Sequence, residues 1–414
     1  MQAPSAPLTA PTPATPTWTF ALLAFACGAI VANLYYAQPL ISLIAADTGL
    51  SVAAAGSMVT LTQIGYGLGV LFLVPLGDLL APAKLIASLM ALTVLALVNA
   101  ALSTTAPQFL LSSFLVGVSC CVAQVLVPFG AQLAPPASRG KAVGQIMSGL
   151  LFGILLARPV SSLLASLLGW HAVFWVSAVV IGVLALVLYR LLPHSRTAAP
   201  SAVAQGSAFS RYTALLGSLW PLLRDTPLLQ RRAAYQAGMF GAFSLFWTTV
   251  PLLLMSPAYG YTQRGVALFA LMGAGGALVA PWAGRLADKG WTRRLTGGAL
   301  VSGVLAWLVG LLATPGGPVA LAALLVAALV LDMAVAITLI TGQRGIYALG
   351  DAIRSRLNAL FMALFFVGGA LGSALGAWAW AHGGWPQVSW VGLGFPAAAL
   401  VVYLLAEPRN PPSK

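Results

Sequence analysis

Apolar stretches of about twenty residues succeed one another along almost the whole chain, each ended by a short polar or charged connection. At a rise of about 1.5 Å per residue, such a stretch wound as a helix crosses a hydrocarbon core of roughly 30 Å. Twelve are predicted, at about 18–45, 52–77, 84–104, 107–133, 141–168, 171–192, 229–256, 263–287, 295–313, 317–345, 356–381 and 385–406. Lipid offers the backbone no partners, so each segment has to satisfy its own N–H and C=O groups as a helix. The chain reads as an all-α membrane protein of twelve transmembrane helices.

The segments fall into two matching sets. Arg139 and Lys141 open a stretch that closes on Gly169-Trp170, and Arg354 and Arg356 open one that closes on Gly384-Trp385. Arg139 to Trp170 and Arg354 to Trp385 are both steps of 31 residues, and the copies are offset by 215. At this offset Met147 meets Met362, Gly153 meets Gly368 and Ala157 meets Gly372, whereas Arg158 meets Ser373. A repeat far longer than the periods of roughly 20–50 residues that mark solenoids predicts two fused, pseudo-symmetric six-helix bundles. The expected division is an N-terminal tail at 1–17, a first bundle at 18–192, a linker at 193–226, a second bundle at 227–406 and a tail at 407–414. Within the linker, Phe209, Tyr212, Leu216, Leu219, Trp220 and Leu223 lie near helical spacing, which predicts a short amphipathic helix on the membrane surface that braces the two bundles.

Composition supports a bilayer setting: 60% of residues are hydrophobic and 7% charged, against roughly 25% charged in soluble domains. A net charge of +13 in a soluble chain would point to nucleic acid, but here 18 of the 20 Lys and Arg residues sit in alternate connections or the C-terminal tail. That asymmetry excludes a nucleic-acid role. By the positive-inside rule it places both termini in the cytoplasm. Cys27, Cys120 and Cys121 all lie within spans and read as small packing residues. Residues 1–17 carry no Lys or Arg ahead of the first apolar span, unlike a removable signal peptide, and their Ala/Pro/Thr-rich composition predicts disorder.

Polar residues at membrane depth are the candidates for function, because each needs a partner. The first segment carries Asn33, Tyr35, Tyr36, Gln38 and Pro39, and the proline predicts a bend there. The second adds Gln63 and Tyr66 among Gly65, Gly67 and Gly69, glycines that permit close helix approach. Only Arg158 and Asp332 place a charge near mid-span, at about 2.5–3.5 kcal/mol each on insertion scales. Three arrangements accommodate them: Arg158 reading an anionic or hydroxyl-rich substrate with Asp332 as proton acceptor or substrate contact, a salt bridge across a cavity that substrate or a proton breaks, or a permanent structural pairing. Gln124, Tyr235, Gln236, Trp247, Asn358 and Phe365 are neutral candidates at similar depth, each open to the alternative of a helix-packing role.

Gly77-Asp78 followed by Lys84, and Gly284-Arg285-Leu286-Ala287-Asp288-Lys289 followed by Arg293 and Arg294, resemble the loop signature of the major facilitator superfamily. The first copy departs from it, with Val74 for the leading Gly and Ala81-Pro82-Ala83 where basic residues are usual. Asn33 to Leu40, Arg354 to Asn358 and Gly368 to Ser373 look like a bacterial branch grouped with sugar and drug effluxers, of drug:proton antiporter type. The resemblance covers residues 18–406. It implies that Asp78 and Asp288 anchor charge contacts between the halves in one state of a transport cycle. Two antiporter features are absent: the fourth span has Ser112-Ser113 near its start and no intramembrane Arg, and the fifth reads Gly153 to Pro159 in place of the Gly-Pro-rich motif.

The expected function is alternating-access secondary transport of a small-molecule substrate, with proton-coupled export as the first reading and a proton-independent or anion-coupled facilitator as the second. An intramembrane enzyme is the rival from another class, and His171, His194 and His382 show no metal spacing to support it. No phosphate-binding loop or dinucleotide fingerprint occurs, so no cofactor is expected. The expected partners are substrate, protons and lipid, and the expected setting is a monomer in a bacterial inner membrane.

Overall fold

The structure is a computed structural model that describes residues 16–51, 53–135, 138–192, 208–273, 279–313, 316–350 and 353–407. The expected tails, apart from residues 16, 17 and 407, and the linker from 193 to 207 lie outside the described residues. Every regular element among the described residues is helical.

The first half begins with a broken helix. α1 (Thr17–Ala32) gives way to turns at 33–37, a 3-10 turn (Gln38–Leu40) and α2 (Ile41–Thr48). Pro39 has no N–H to continue the ladder. At the end of α1 the Asn33 side-chain amide donates to the carbonyls of Ala29 at 2.8 Å and Ile30 at 3.2 Å. α3 (Ser57–Leu68) runs on through a π turn and a 3-10 turn to Asp78. α4 (Pro82–Ala101) follows, then α5 (Ala106–Cys120) and α6 (Val122–Leu133), which form one span, and then α7 (Arg139–Leu168) and α8 (Trp170–Leu191).

The linker carries two short helices where one is expected, α9 (Ala208–Gly217) and α10 (Leu219–Arg224), separated at Ser218. They reach both halves. The Tyr212 hydroxyl donates to the Phe72 carbonyl at 2.9 Å, and Arg356 Nη1 donates to the Ser218 hydroxyl at 2.9 Å.

In the second half α11 (Pro227–Met255) leads to α12 (Gln263–Gly273) and α13 (Ala280–Leu286), followed by α14 (Thr292–Gly310), α15 (Gly317–Tyr347) and α16 (Arg354–Ala406). Nine helical stretches among the described residues are long and apolar enough to cross a membrane. The broken first segment, the eighth segment formed by α12 and α13, and the part of α16 beyond Gly384 fit the remaining spans of a twelve-helix plan. Gly384 adopts φ 59, ψ −153, a conformation open to glycine alone, which turns the chain where the eleventh and twelfth segments meet.

Small residues set the packing within each half. A Cβ on Gly153 would fall 2.2 Å from the Gly28 carbonyl oxygen of α1, and a Cβ on Gly372 would fall 2.0 Å from the Gly241 carbonyl oxygen of α11. These are backbone-to-backbone approaches of the small-residue kind that replace hydrophobic driving force between helices in lipid. Leu95, Leu168, Val319, Leu404 and Leu405 point outward and exposed, as a lipid-facing surface requires.

The two halves meet along a seam. There α3 lies against α16, and α7 against α12. Thr60 and Ser373 share a hydrogen bond of 2.8 Å, and Gln263 Nε2 donates to the Pro39 carbonyl at 2.8 Å and the Ser162 hydroxyl at 2.9 Å. Nearer the middle, Gln63 Nε2 donates to the Ser244 hydroxyl at 2.7 Å. Toward the end where the basic connections lie a cavity opens between the halves, while Tyr66 and Phe366 keep α3 and α16 in ring contact at 4.4 Å.

Candidate functional site

A cavity of about 710 Å³ separates the halves, within the range of roughly 300–1,000 Å³ usual for small-molecule sites. Val143 near the start of α7, Tyr347 at the end of α15, and Arg354 and Ser355 at the start of α16 line its mouth, so it opens toward the basic connections. Its blind end lies under the closed seam.

Arg158 and Asp332 both line the cavity, one from each half. Arg158 is buried, with 4% of its surface exposed, and its Nε donates to Gln38 Oε1 at 2.7 Å. Its guanidinium carbon lies 4.5 Å from the Trp247 ring centroid, 4.8 Å from that of Phe243 and 4.9 Å from that of Tyr35. Desolvated cation–π contacts of this kind contribute about 2 kcal/mol each, enough to offset much of the cost of a charge at this depth. Nη2 finds no hydrogen-bond partner among the described residues.

Asp332 sits midway along α15 and accepts a hydrogen bond from Trp247 Nε1 at 3.0 Å. The two charges form no direct ion pair; the ion pairs among the described residues join Arg232 to Glu407 and Arg344 to Asp288. Of the three arrangements open from sequence, the direct salt bridge is thus not made in this conformation. Trp247 instead touches both charges, its ring face toward Arg158 and its N–H toward Asp332.

The chamber wall below this group is aromatic and apolar. On α11, Gln236, Phe240, Phe243 and Trp247 recur at helical spacing and all face the cavity. Phe365 packs edge-on against Phe240 at 5.0 Å, and Met147 and Met362, matched in the repeat, face each other's half across the space. Tyr66 and Gln124 line the first half, joined by a 3.0 Å hydrogen bond from the Gln124 amide to the Tyr66 hydroxyl. Gln236 is 1% exposed, and neither of its amide atoms has a partner among the described residues. Asn358 is occupied near the mouth, accepting from Tyr347 at 2.8 Å and Gln343 at 3.3 Å.

Other sequence candidates lie elsewhere. Asn33 is buried between α1 and α8, where it accepts from the Ser177 hydroxyl at 2.6 Å. Tyr36 is half-buried and outside the cavity lining. Tyr235 points away from the chamber, donating to Glu407 Oε2 at 3.2 Å beside the Arg232–Glu407 pair at 2.8 Å. These three are helix-packing groups in this conformation, since each finds its partners or neighbours behind the chamber wall. Gln63 bridges the halves without lining the cavity.

Among the loop candidates, Asp288 pairs with Arg344 inside the second half and does not reach across to the first. Lys84, Lys289, Arg293 and Arg294 are exposed, Gly284 is half-buried, and the side chain of Asp78 lies outside what the structure describes. Phe243, which with Tyr35 completes the cage around Arg158, is the residue that sequence reasoning did not select. The α11 periodicity marks Phe243, one turn from Trp247 and one turn from Phe240 on the same face.

Two pseudo-symmetric helical bundles parted around a chamber that opens at one end only define a multi-pass membrane transporter. The family model described as Major Facilitator Superfamily matches residues 20–350. The uncharacterized transporter YgaY of Escherichia coli O157:H7 is 40% identical over 92% of this chain and 94% of its own length. A chloramphenicol resistance protein of Streptomyces lividans is 29% identical over 65% of this chain and 66% of its own. Among solved structures, the nucleoside transporter NupG (D323A mutant) superposes with a TM-score of 0.76 at 16% identity, covering 94% of this chain and 99% of that one. The chain belongs to the major facilitator superfamily, and it is a transporter, not an enzyme.

Proposed function

We propose that the protein exports a small organic solute in exchange for protons, with Arg158, Trp247 and Asp332 forming a site that solute and proton share. The observation that carries this reading is the blind end of the chamber, where one half supplies a caged cation and the other a carboxylate without a direct pair between them. Asp332 is the only carboxylate at mid-span depth in the sequence, and water reaches it through the open mouth. Protonating it changes the charge that a solute meets, which links the two bindings in free energy. The positive-inside pattern assigns the open mouth to the cytoplasm, so this conformation is the one that loads an exporter. The likeness to a chloramphenicol resistance protein supports the same direction.

On this reading the seam residues Gln63, Thr60, Ser373 and Gln263 hold the outer side shut, and their release opens it. Asp78 and Asp288, with Lys84, Lys289, Arg293 and Arg294, are assigned to closing the basic side in the opposite state. The setting is the inner membrane of a bacterium, with the protein acting as a monomer.

Reconstituted vesicles with an imposed pH gradient test the coupling. A ligand-induced melting screen across sugars, nucleosides, amino acids, organic acids and cationic drugs supplies the solute, because a ligand that binds the folded state raises its melting temperature. An exchanger accumulates that solute on the acidic side, and a protonophore abolishes the accumulation. Asp332→Asn is expected to remove accumulation, and whatever solute flux remains is expected to be indifferent to the pH gradient. Flux indifferent to the gradient in the native protein would instead establish the facilitator reading, which the absent fourth-span arginine favours.

A further inference from the structure

We propose that the transported solute is a zwitterion with an apolar tail, of the amino-acid type, whose carboxylate binds Arg158 and whose ammonium binds Asp332. This rests on the assignment of the chamber as the transport site and narrows its ligand.

Both charges face the chamber, from opposite halves, and no direct ion pair joins them. The Trp247 indole touches both, with its ring 4.5 Å from the guanidinium carbon and its N–H on Asp332 Oδ1 at 3.0 Å, and so holds each charge in place at the chamber's end. Each charge keeps bonding capacity. Arg158 Nη2 has no partner, and Trp247 supplies the one hydrogen bond that reaches Asp332 among the described residues.

A ligand carrying a single charge satisfies one of these groups and faces the other as a like charge at close range. A cation meets the guanidinium, and an anion meets the carboxylate, in a setting where charge–charge terms exceed their value in water. A ligand with both signs on adjacent atoms meets two complementary partners at once. Beneath this head site the wall is Phe243, Phe240, Phe365, Val335 and Met147, with no charged group between it and the mouth side chains. That wall takes a tail of aromatic or aliphatic character.

Purified full-length protein in detergent tests this with three probes that share a phenyl tail: L-phenylalanine, phenethylamine and 3-phenylpropionate. L-Tryptophan and L-leucine serve as further zwitterions. The expected result at neutral pH is a rise in melting temperature with the zwitterions, and binding of L-phenylalanine at least tenfold tighter than of either single ion. Arg158→Met should bring phenethylamine level with L-phenylalanine, Asp332→Asn should do so for 3-phenylpropionate, and Arg158→Lys should keep the zwitterion preference. Ligand-free melting of each variant establishes that it is folded. A single ion that binds the native protein as tightly as L-phenylalanine overturns the inference, and so does the failure of every zwitterion to bind. Proton-driven flux of some other solute alongside that failure leaves the transport reading standing. Zwitterion-selective binding with flux indifferent to a pH gradient overturns the coupling alone.

Discussion

α7 and the first part of α16 are copies of one design put to two uses. Gly153 in α7 and Gly368 in α16 both bring a neighbouring helix into backbone contact, α1 in one half and α11 in the other. Met147 and Met362 both line the chamber. The copies part at Arg158 and Ser373. Arg158 turns into the chamber among aromatic rings, whereas Ser373, fully buried, joins α3 through Thr60 in the outer seam. The same offset carries Asp332 back to Gly117, where an added Cβ would fall 2.0 Å from the Thr62 carbonyl oxygen of α3. Each half therefore gives the deep end of the chamber one charge, from helices that are not equivalent. A strictly symmetric molecule would have set two guanidiniums face to face. At an effective dielectric of about 20 and a separation of about 5 Å their repulsion is roughly 3 kcal/mol. Scaffold contacts kept their symmetry, and the site acquired polarity by losing it.

Placing the charge in the other copy breaks this comparison most severely. Ser373→Arg puts a guanidinium into a seam where the Ser373 carbonyl oxygen is 2.5 Å from the Cβ position of Gly56, leaving no room and no anionic partner. The cost is at least about 3 kcal/mol on insertion scales, with loss of the seam added. No monodisperse folded protein is expected on size-exclusion chromatography. A variant that purifies and melts like the native chain would show that the two positions are interchangeable.

Removing the charge from its own copy is the next largest effect. Arg158→Met should lower solute flux in vesicles at least 100-fold, to the level of protein-free vesicles. Its melting temperature should hold or rise, because an apolar replacement of a buried charge is often neutral or stabilising. A large fall in melting temperature with flux retained would make Arg158 a structural residue.

The bundles, the repeat and both charges were legible in the sequence for physical reasons. Spans announce themselves by length, and an unpaired charge at depth is too costly to be incidental. The Gly384 turn falls at the predicted limit of the eleventh and twelfth segments for the same kind of reason, since Gly and Pro punctuate helices. Which way a neutral polar residue faces was not legible. Asn33 and Tyr235 sit in apolar stretches as Gln124 and Gln236 do, yet the first two find partners on neighbouring helices and the second two line the chamber. Hydropathy reports depth and carries no direction. Gln38 as the partner of Arg158 was equally hidden, because the contact joins residues 120 apart in sequence through a break in the first helix.

Trp247 sharpens the comparison on the second half's side. Trp247→Phe keeps an aromatic face near Arg158 and removes the N–H that reaches Asp332 at 3.0 Å. A hydrogen bond to a charged group contributes about 1.5 kcal/mol, so about tenfold weaker solute binding is expected in melting or direct binding measurements. Unchanged binding would mean that Asp332 needs no orientation by the indole.

The smallest effect probes the seam duty that Ser373 took up in place of the charge. Ser373→Ala removes a hydroxyl that shares a 2.8 Å hydrogen bond with Thr60 and leaves the backbone approach to Gly56 intact. Such a bond contributes about 1 kcal/mol, which corresponds to about a fivefold rise in the population whose outer seam is open. Ala377→Cys provides the reporter, because Ala377 is 1% exposed in the closed seam and is reached by a thiol reagent only when that seam parts. The native Cys27, Cys120 and Cys121 are all buried and contribute little background. Labelling in the Ser373→Ala background should accelerate about fivefold. Thr60→Val should give a similar acceleration, and the two changes together should give less than the product of the single effects, because both remove the same bond. Full multiplicity in the double variant would show that the two hydroxyls act separately, and that the second copy's departure from arginine gained nothing for the seam.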